Sequence, residues 1–126
     1  MTYAPSCLIV EDQALIGMSL EAYLEDAGFE VIGPFTRKAE ALRWLEDHTP
    51  ELALLDVMLT DGSSVDLARE LKGRGVPFAI YSGLKPDSET PEFQGVPWLE
   101  KPMSRLALKE VLARLVPLPG REQTAA

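Results

Sequence analysis

Leu52-Ala53-Leu54-Leu55-Asp56-Val57-Met58-Leu59 is an apolar run broken by a single carboxylate. A run of this length and composition predicts a strand buried on both faces of a sheet. A buried carboxylate is costly unless it is paired or bound to a metal. Asp56 therefore either sits at the exposed C-terminal end of the strand or has a partner. Two other segments repeat the arrangement. Cys7-Leu8-Ile9-Val10 runs into the acidic pair Glu11-Asp12, and the short run Val96 to Leu99 is followed by Lys101. In an open parallel sheet, the C-terminal strand ends form the edge where sites are built.

Working outward, Ser6 to Val10 is the first predicted strand. A helix is predicted over Ala14 to Ala27, with Leu15, Met18 (or Ser19), Leu20, Tyr23, Leu24 and Ala27 at helical spacing. Gly28 follows where a helix end wants a residue tolerant of positive φ. Phe29 to Gly33 is the second strand, Pro34 to Thr36 a loop, and Lys38 to Asp47 a helix with Ala41, Leu42 and Leu45 inward. Leu52 to Asp56 is the third strand, and Met58 to Gly62 a loop with Asp61-Gly62 as its turn. Ser63 or Ser64 can cap a helix to about Arg74, apolar at Val65, Leu67, Ala68 and Leu71. Phe78 to Tyr81 is the fourth strand, closed by Ser82-Gly83.

Between Lys85 and Gly95, prolines 86 and 91 leave room for one or two helical turns at most. Trp98 to Glu100 is the fifth strand. Ser104 can cap a last helix to about Val116, with Leu106, Leu108, Val111, Leu112 and Leu115. Residues 1–116 are expected to form the domain, and residues 117–126 a flexible tail. Alternating strands and helices predict an α/β fold, a five-stranded parallel sheet with helices on both faces and an irregular fourth helix, and the flavodoxin-like order 2-1-3-4-5 is one of the two common ways to wind it. The first and third strands are then neighbours, which gathers Glu11, Asp12 and Asp56.

The chain has 126 residues, one domain by size, and a net charge of −8. That acidity argues against a nucleic-acid partner, because phosphate binding needs clustered Lys and Arg. Cys7 is the one cysteine and lies in an apolar strand, so it is expected to be a small buried hydrophobe. No leader and no apolar run of membrane-spanning length is seen, so no membrane association and a cytoplasmic location are expected. His48, before Thr49-Pro50, is expected to be exposed and idle.

Three neighbouring carboxylates repel one another unless one is protonated or a cation neutralises them. An all-oxygen set without His or Cys favours Mg²⁺ over Zn²⁺. Mg²⁺ keeps open coordination for a phosphoryl oxygen, and an Asp beside it can act as a nucleophile toward phosphorus. Lys101 can supply a cation to the transition state, and Ser82 or the loop amides a hydrogen bond. Each piece taken alone could be ordinary: a turn-forming Asp, an acidic helix N-terminus, a plain loop, a core Trp98. The joint pattern overturns these, since four strand ends in order carry acid-acid, Asp, Ser and Lys-Pro.

Over Ser6 to Val116 this pattern resembles the receiver domain of two-component response regulators. The resemblance implies that Glu11-Asp12 is the acidic pair for Mg²⁺, Asp56 the phosphoacceptor, and the Met58 carbonyl a further metal ligand. It implies Ser82 as the hydroxyl that binds the phosphoryl group, Lys101 as the family lysine, and Trp98 as the switch aromatic. It also implies a cis Lys101-Pro102 bond. Two departures stand out: Thr60 where most receivers have Pro, and a short, proline-bearing segment between Ser82 and Lys101. Pro77 to Gly83 looks somewhat like an atypical receiver subgroup found with certain sensor kinases of alphaproteobacteria.

The resemblance implies a stand-alone receiver that takes a phosphoryl group from a sensor histidine kinase or histidine phosphotransfer protein. It would signal by protein-protein contact or phosphorelay to a downstream protein that the residues do not name. A non-phosphorylated binding module of the same fold is the rival. An Asp-nucleophile phosphatase would want a second Asp where Met58 stands. A flavodoxin would want a Ser/Thr/Gly-rich first loop, which is lacking.

Overall fold

The computed structural model describes residues 4–87 and 89–115. Its main sheet contains β1 (Ser6–Val10), β2 (Glu30–Phe35), β3 (Leu52–Leu55), β6 (Phe78–Ser82) and β7 (Trp98–Glu100). The strands lie in the order β2-β1-β3-β6-β7, all neighbours parallel. This is the expected 2-1-3-4-5 winding. A two-residue hairpin, β4 (Met58–Leu59) with β5 (Gly62–Ser63), fills the predicted loop after Asp56. The helices are α1 (Ala14–Asp26), α2 (Lys38–Leu45), α3 (Val65–Gly73) and α4 (Arg105–Ala113).

Side chains alternate across each strand, so one strand feeds two cores. Leu8, Val10, Ala53, Leu55, Phe78 and Ile80 pack with residues of α2 and α3. Cys7, Ile9, Leu52, Leu54, Ala79 and Tyr81 pack with residues of α1 and α4. The unbroken apolar composition of β1 and β3 follows from burial on both faces. Cys7 is fully buried, and desolvation pushes its thiol pKa up, so the small-hydrophobe expectation holds.

Two helix assignments need correction. Leu15 and Met18 are 79% and 62% exposed, so the buried stripe of α1 is Gly17, Leu20 and Leu24. Gly17 rather than a larger residue faces the sheet because a Cβ there would meet the Pro34 ring at 3.1 Å. Leu106 is exposed, and α4 buries Leu108 and Leu112 instead. Ser63 Oγ accepts the Val65 N–H at the start of α3, while Ser64 Oγ is buried with no partner among the described residues. Ser104 caps α4 as expected, accepting the Ala107 N–H. The last turn predicted for that helix, at Val116, and the tail lie outside the described residues.

The second strand runs two residues further than predicted, through Pro34 and Phe35. Its register against β1 shifts between Leu8 and Val10. Gly33 allows this with φ of +104°; a Cβ there would lie 2.7 Å from the Ile9 carbonyl. Gly33-Pro34 is cis, as is the predicted Lys101-Pro102. The expected fourth helix is reduced to one 3₁₀ turn, Pro91–Phe93.

Candidate functional site

Backbone ladders continue one residue past the strands and deliver the charged side chains to a common edge. Glu11 N–H donates to the Phe35 carbonyl, Asp56 N–H to Val10, and Lys101 N–H to Ser82, at 2.9, 3.0 and 3.0 Å. Because β1 and β3 pair in register, Val10 opposite Leu55, the following residues Glu11 and Asp56 are neighbours. One carboxylate oxygen from each of Glu11, Asp12 and Asp56 lies within 4.8 Å of the others.

Lys101 answers this concentration of charge. Its Nζ donates to Glu11 Oε1 at 2.8 Å and to Asp56 Oδ2 at 2.9 Å. The remaining oxygens also have partners: Glu11 Oε2 accepts the Gln13 N–H, and Asp56 Oδ1 accepts the Val57 N–H. Glu11 is 2% and Asp56 9% exposed. Desolvation raises the Glu11 carboxyl above its ordinary value, and its bond to Lys101 offsets only part of this. Burial alone would lower the Lys101 ammonium, but its two carboxylate partners outweigh that and hold it above its usual value. The expectation that Asp56 is either at the strand's end or partnered is met on both counts.

The remaining predicted residues lie on β6, on β7 and in the hairpin after β3. Ser82 ends β6, buried, with its hydroxyl accepting the Leu84 N–H at 3.0 Å. Trp98 begins β7, half-buried, with its ring edge-on to Phe93. Its indole N–H donates to the Leu84 carbonyl at 2.9 Å. Ser82 and Trp98 are thus joined through the backbone of one residue. Met58 lies two residues beyond Asp56, paired with Ser63, its side chain half exposed. His48 is exposed and stacks flat on Trp44, away from the cluster's contacts.

Two contacts were not anticipated from the sequence. Asp61, taken as a turn former, accepts the Lys38 and Ala39 N–H groups at 2.8 and 3.1 Å, and so caps α2 from another loop. The α2 cap position, Arg37, has no side-chain capping bond of its own. Tyr81, read only as the end of the fourth strand, accepts the Met103 N–H at its hydroxyl and lies beside the Lys101 ammonium. A phenol near the end of a buried strand must find a partner, which was the available signal.

The donor set fits a hard divalent cation: three carboxylates, no His or thiolate, at an edge opened by the strand ends. Among the described residues no helix is long and apolar enough to cross a membrane.

Comparison with known proteins agrees with this geometry. The chain is 35% identical over 69 residues to the transcriptional regulatory protein PdtaR of Mycobacterium tuberculosis, 55% of this chain and 34% of that protein. It is 45% identical over 62 residues to the phyllosphere-induced regulator PhyR of Methylorubrum extorquens, 48% of this chain and 23% of that protein. The chain therefore matches only about a third or less of these curated relatives' length. The receiver domain of the sensor histidine kinase PA1611 of Pseudomonas aeruginosa superposes with a TM-score of 0.77 at 27% identity, over 90% of this chain and 98% of that one. Residues 7–113 match the response regulator receiver domain as a family, and the chain belongs to that family of signalling phosphoacceptor domains.

Proposed function

We propose that this chain receives a phosphoryl group on Asp56 from a phosphohistidine of a sensor kinase or histidine phosphotransfer protein. In that step an Asp56 carboxylate oxygen bonds to phosphorus as the phosphorus–nitrogen bond breaks. The electron pair leaves with the donor imidazole, which takes up a proton. Glu11, Asp12, Asp56 and the Met58 carbonyl would hold Mg²⁺. Bound there, Mg²⁺ supplies positive charge against the phosphoryl oxygens and allows the carboxylates to stay ionised together. The PA1611 receiver is described with a magnesium ion coordinated in its active-site cleft, which supports this choice of metal.

The observation that carries the reading is Lys101, whose ammonium bridges Glu11 and Asp56 at 2.8 and 2.9 Å. A cation held there is ready to pair with an added phosphoryl oxygen without reorganising. Ser82 would then turn its hydroxyl from the Leu84 N–H to the phosphoryl group. Because Leu84 also holds the Trp98 indole N–H, that turn loosens Trp98 and changes the neighbouring surface. The output of such a change is contact with a partner protein or onward transfer to another histidine.

The test is intact mass after incubation with Mg²⁺ and a small acyl-phosphate donor. One added phosphoryl group, labile in base and lost both in Asp56→Asn and without Mg²⁺, is expected. No addition together with no Mg²⁺ binding would sink the reading in favour of a binding module whose surface is constitutive.

A further inference from the structure

We propose that Tyr81 is a positioning residue for Lys101, holding the lysine and its loop in the geometry that phosphoryl transfer uses. This rests on the phosphoacceptor reading of Asp56. Tyr81 is the last residue of β6 before Ser82 and pairs with Leu99 of β7. It is 7% exposed and belongs to the core shared with α1 and α4. A Leu or Phe would fill that space as well, so the hydroxyl needs its own reason to be there.

The hydroxyl accepts the Met103 N–H at 3.0 Å. Pro102 has no N–H, so Met103 offers the first main-chain donor after Lys101. The Lys101 N–H is already taken by the Ser82 carbonyl at 3.0 Å. The loop that carries the lysine is therefore pinned on both sides, by two consecutive residues of one strand. The Tyr81 ring acts on the side chain as well. Lys101 Nζ lies 5.6 Å from the ring centroid, within the range of a cation–π contact. The ring thus adds a contact to an ammonium that Glu11 and Asp56 also hold.

Such placement matters more for transfer than for metal binding. The carboxylates that would bind Mg²⁺ are set by the β1 and β3 ladders, independently of Tyr81. A lysine displaced by a fraction of an ångström loses its aim at the phosphoryl oxygens while the carboxylates stay where they are.

The experiment compares the full chain with Tyr81→Phe, Lys101→Ala and the double variant. Phosphorylation by a small acyl-phosphate donor at saturating Mg²⁺ is followed by intact mass, and Mg²⁺ affinity is measured separately. Tyr81→Phe keeps the buried ring and is expected to fold. Its transfer rate should fall roughly threefold to tenfold, the loss expected for one hydrogen bond, with Mg²⁺ affinity within about twofold. In the Lys101→Ala background the same change should cost nothing further. A wild-type rate in Tyr81→Phe overturns the proposal, and so does an equal loss in the Lys101→Ala background.

Failure of the phosphoacceptor reading looks different, because the wild-type chain itself then takes no phosphoryl group. In that case, or if Lys101→Ala transfers too slowly to follow, NMR decides. The Lys101 ε-protons should be shifted upfield by the ring in wild type and Tyr81→Phe, and return to ordinary values in Tyr81→Leu. The Met103 amide signal should move in Tyr81→Phe. Unshifted ε-protons in wild type would overturn the placement.

Discussion

The charged strand ends and the segment between β6 and β7 adjoin one another at Ser82, yet they are held in opposite ways. Glu11, Asp56 and Lys101 are fixed by main-chain hydrogen bonds that extend the sheet, and their side chains are buried against each other. The segment from Leu84 to Val96 has one buried apolar anchor among its described residues, Phe93. Otherwise side chains strap it down. Arg69 of α3 pairs with Glu92 at 3.0 Å, and Lys72 donates to the Pro91 and Gln94 carbonyls at 3.4 and 3.0 Å. Asp87 accepts the Glu89 and Thr90 N–H groups. Backbone ladders buried in a sheet open only with the fold, whereas exposed straps open locally at small cost. Geometry is thus fixed where chemistry needs it, and the adjoining segment is free to rearrange.

Lys101→Ala should produce the largest effect on stability. It leaves the buried Glu11 and Asp56 carboxylates facing each other without their cation. Removing one partner of a buried pair is strongly destabilising, and roughly 3 kcal/mol is expected in metal-free denaturation at neutral pH, somewhat less than for a fully enclosed pair. Mg²⁺ should still bind and recover part of the loss, since binding only the native state adds stability, while the response of Trp98 to phosphorylation is blunted. Wild-type stability in this variant would mean that the ammonium does not offset the charge of the buried carboxylates.

Phe93→Ala tests the other region. Truncating a buried Phe costs about 3–5 kcal/mol in a full core. Here the residue anchors a single 3₁₀ turn that can relax, so roughly 2 kcal/mol is expected. Amide exchange should accelerate in residues 84–97 while Mg²⁺ affinity stays within about twofold of wild type. Faster exchange at Val10 or Leu55 instead would erase the distinction between the two regions.

The same difference governs what could be read in the sequence. Strands and site residues announce themselves because burial on two faces demands unbroken apolar runs, and a charge placed directly after such a run marks the strand's open end. The parallel sheet followed from that, and so, in the 2-1-3-4-5 winding, did the meeting of Glu11, Asp12 and Asp56, with Lys101 delivered to the same edge. Leu15, Met18 and Leu106 misled because helical spacing marks a face but does not say which face is covered; Gly17, packed beneath Pro34, sets the orientation of α1. The straps on the 3₁₀ turn, the Asp61 cap and the Tyr81 bond were not legible. Each joins residues far apart in sequence, with no periodicity to mark them.

Asp61 gives a pH-dependent effect of intermediate size. Its exposed carboxylate is held below the ordinary Asp value, first by the Lys38 N–H and also by that of Ala39. A depressed carboxyl pKa contributes stability that is present above the unfolded-state value, near 4, and is lost as the pH falls through the folded value. Asp61→Ala should lower the Tm by a few degrees at pH 7, and the gap from wild type should narrow on acidification from about pH 5 to pH 2. Asp61→Asn should recover only part of the neutral-pH stability, because its single carbonyl oxygen can accept one of the two N–H groups that the carboxylate accepts. A gap that widens in acid would show that the carboxylate does not act through the α2 N-terminus.

Arg69→Ala should have the smallest effect and bears most directly on the contrast between the regions. Arg69 is 63% and Glu92 20% exposed at the side chain, so water and ions screen the pair. The guanidinium approaches one carboxylate oxygen through both Nε and Nη2, and a weaker contact to Asp66 at 3.5 Å competes for it. A Tm loss of no more than roughly two degrees is expected, and it should vanish as salt approaches about 1 M, where screening acts over about 3 Å. The Phe93→Ala loss, being apolar, should persist in the same salt series. If the Arg69→Ala loss were large and independent of salt, the strap would be a structural member and the segment as fixed as the site beside it. A small, salt-sensitive loss keeps the segment as the part of the fold that the proposed phosphoryl group on Asp56 would move.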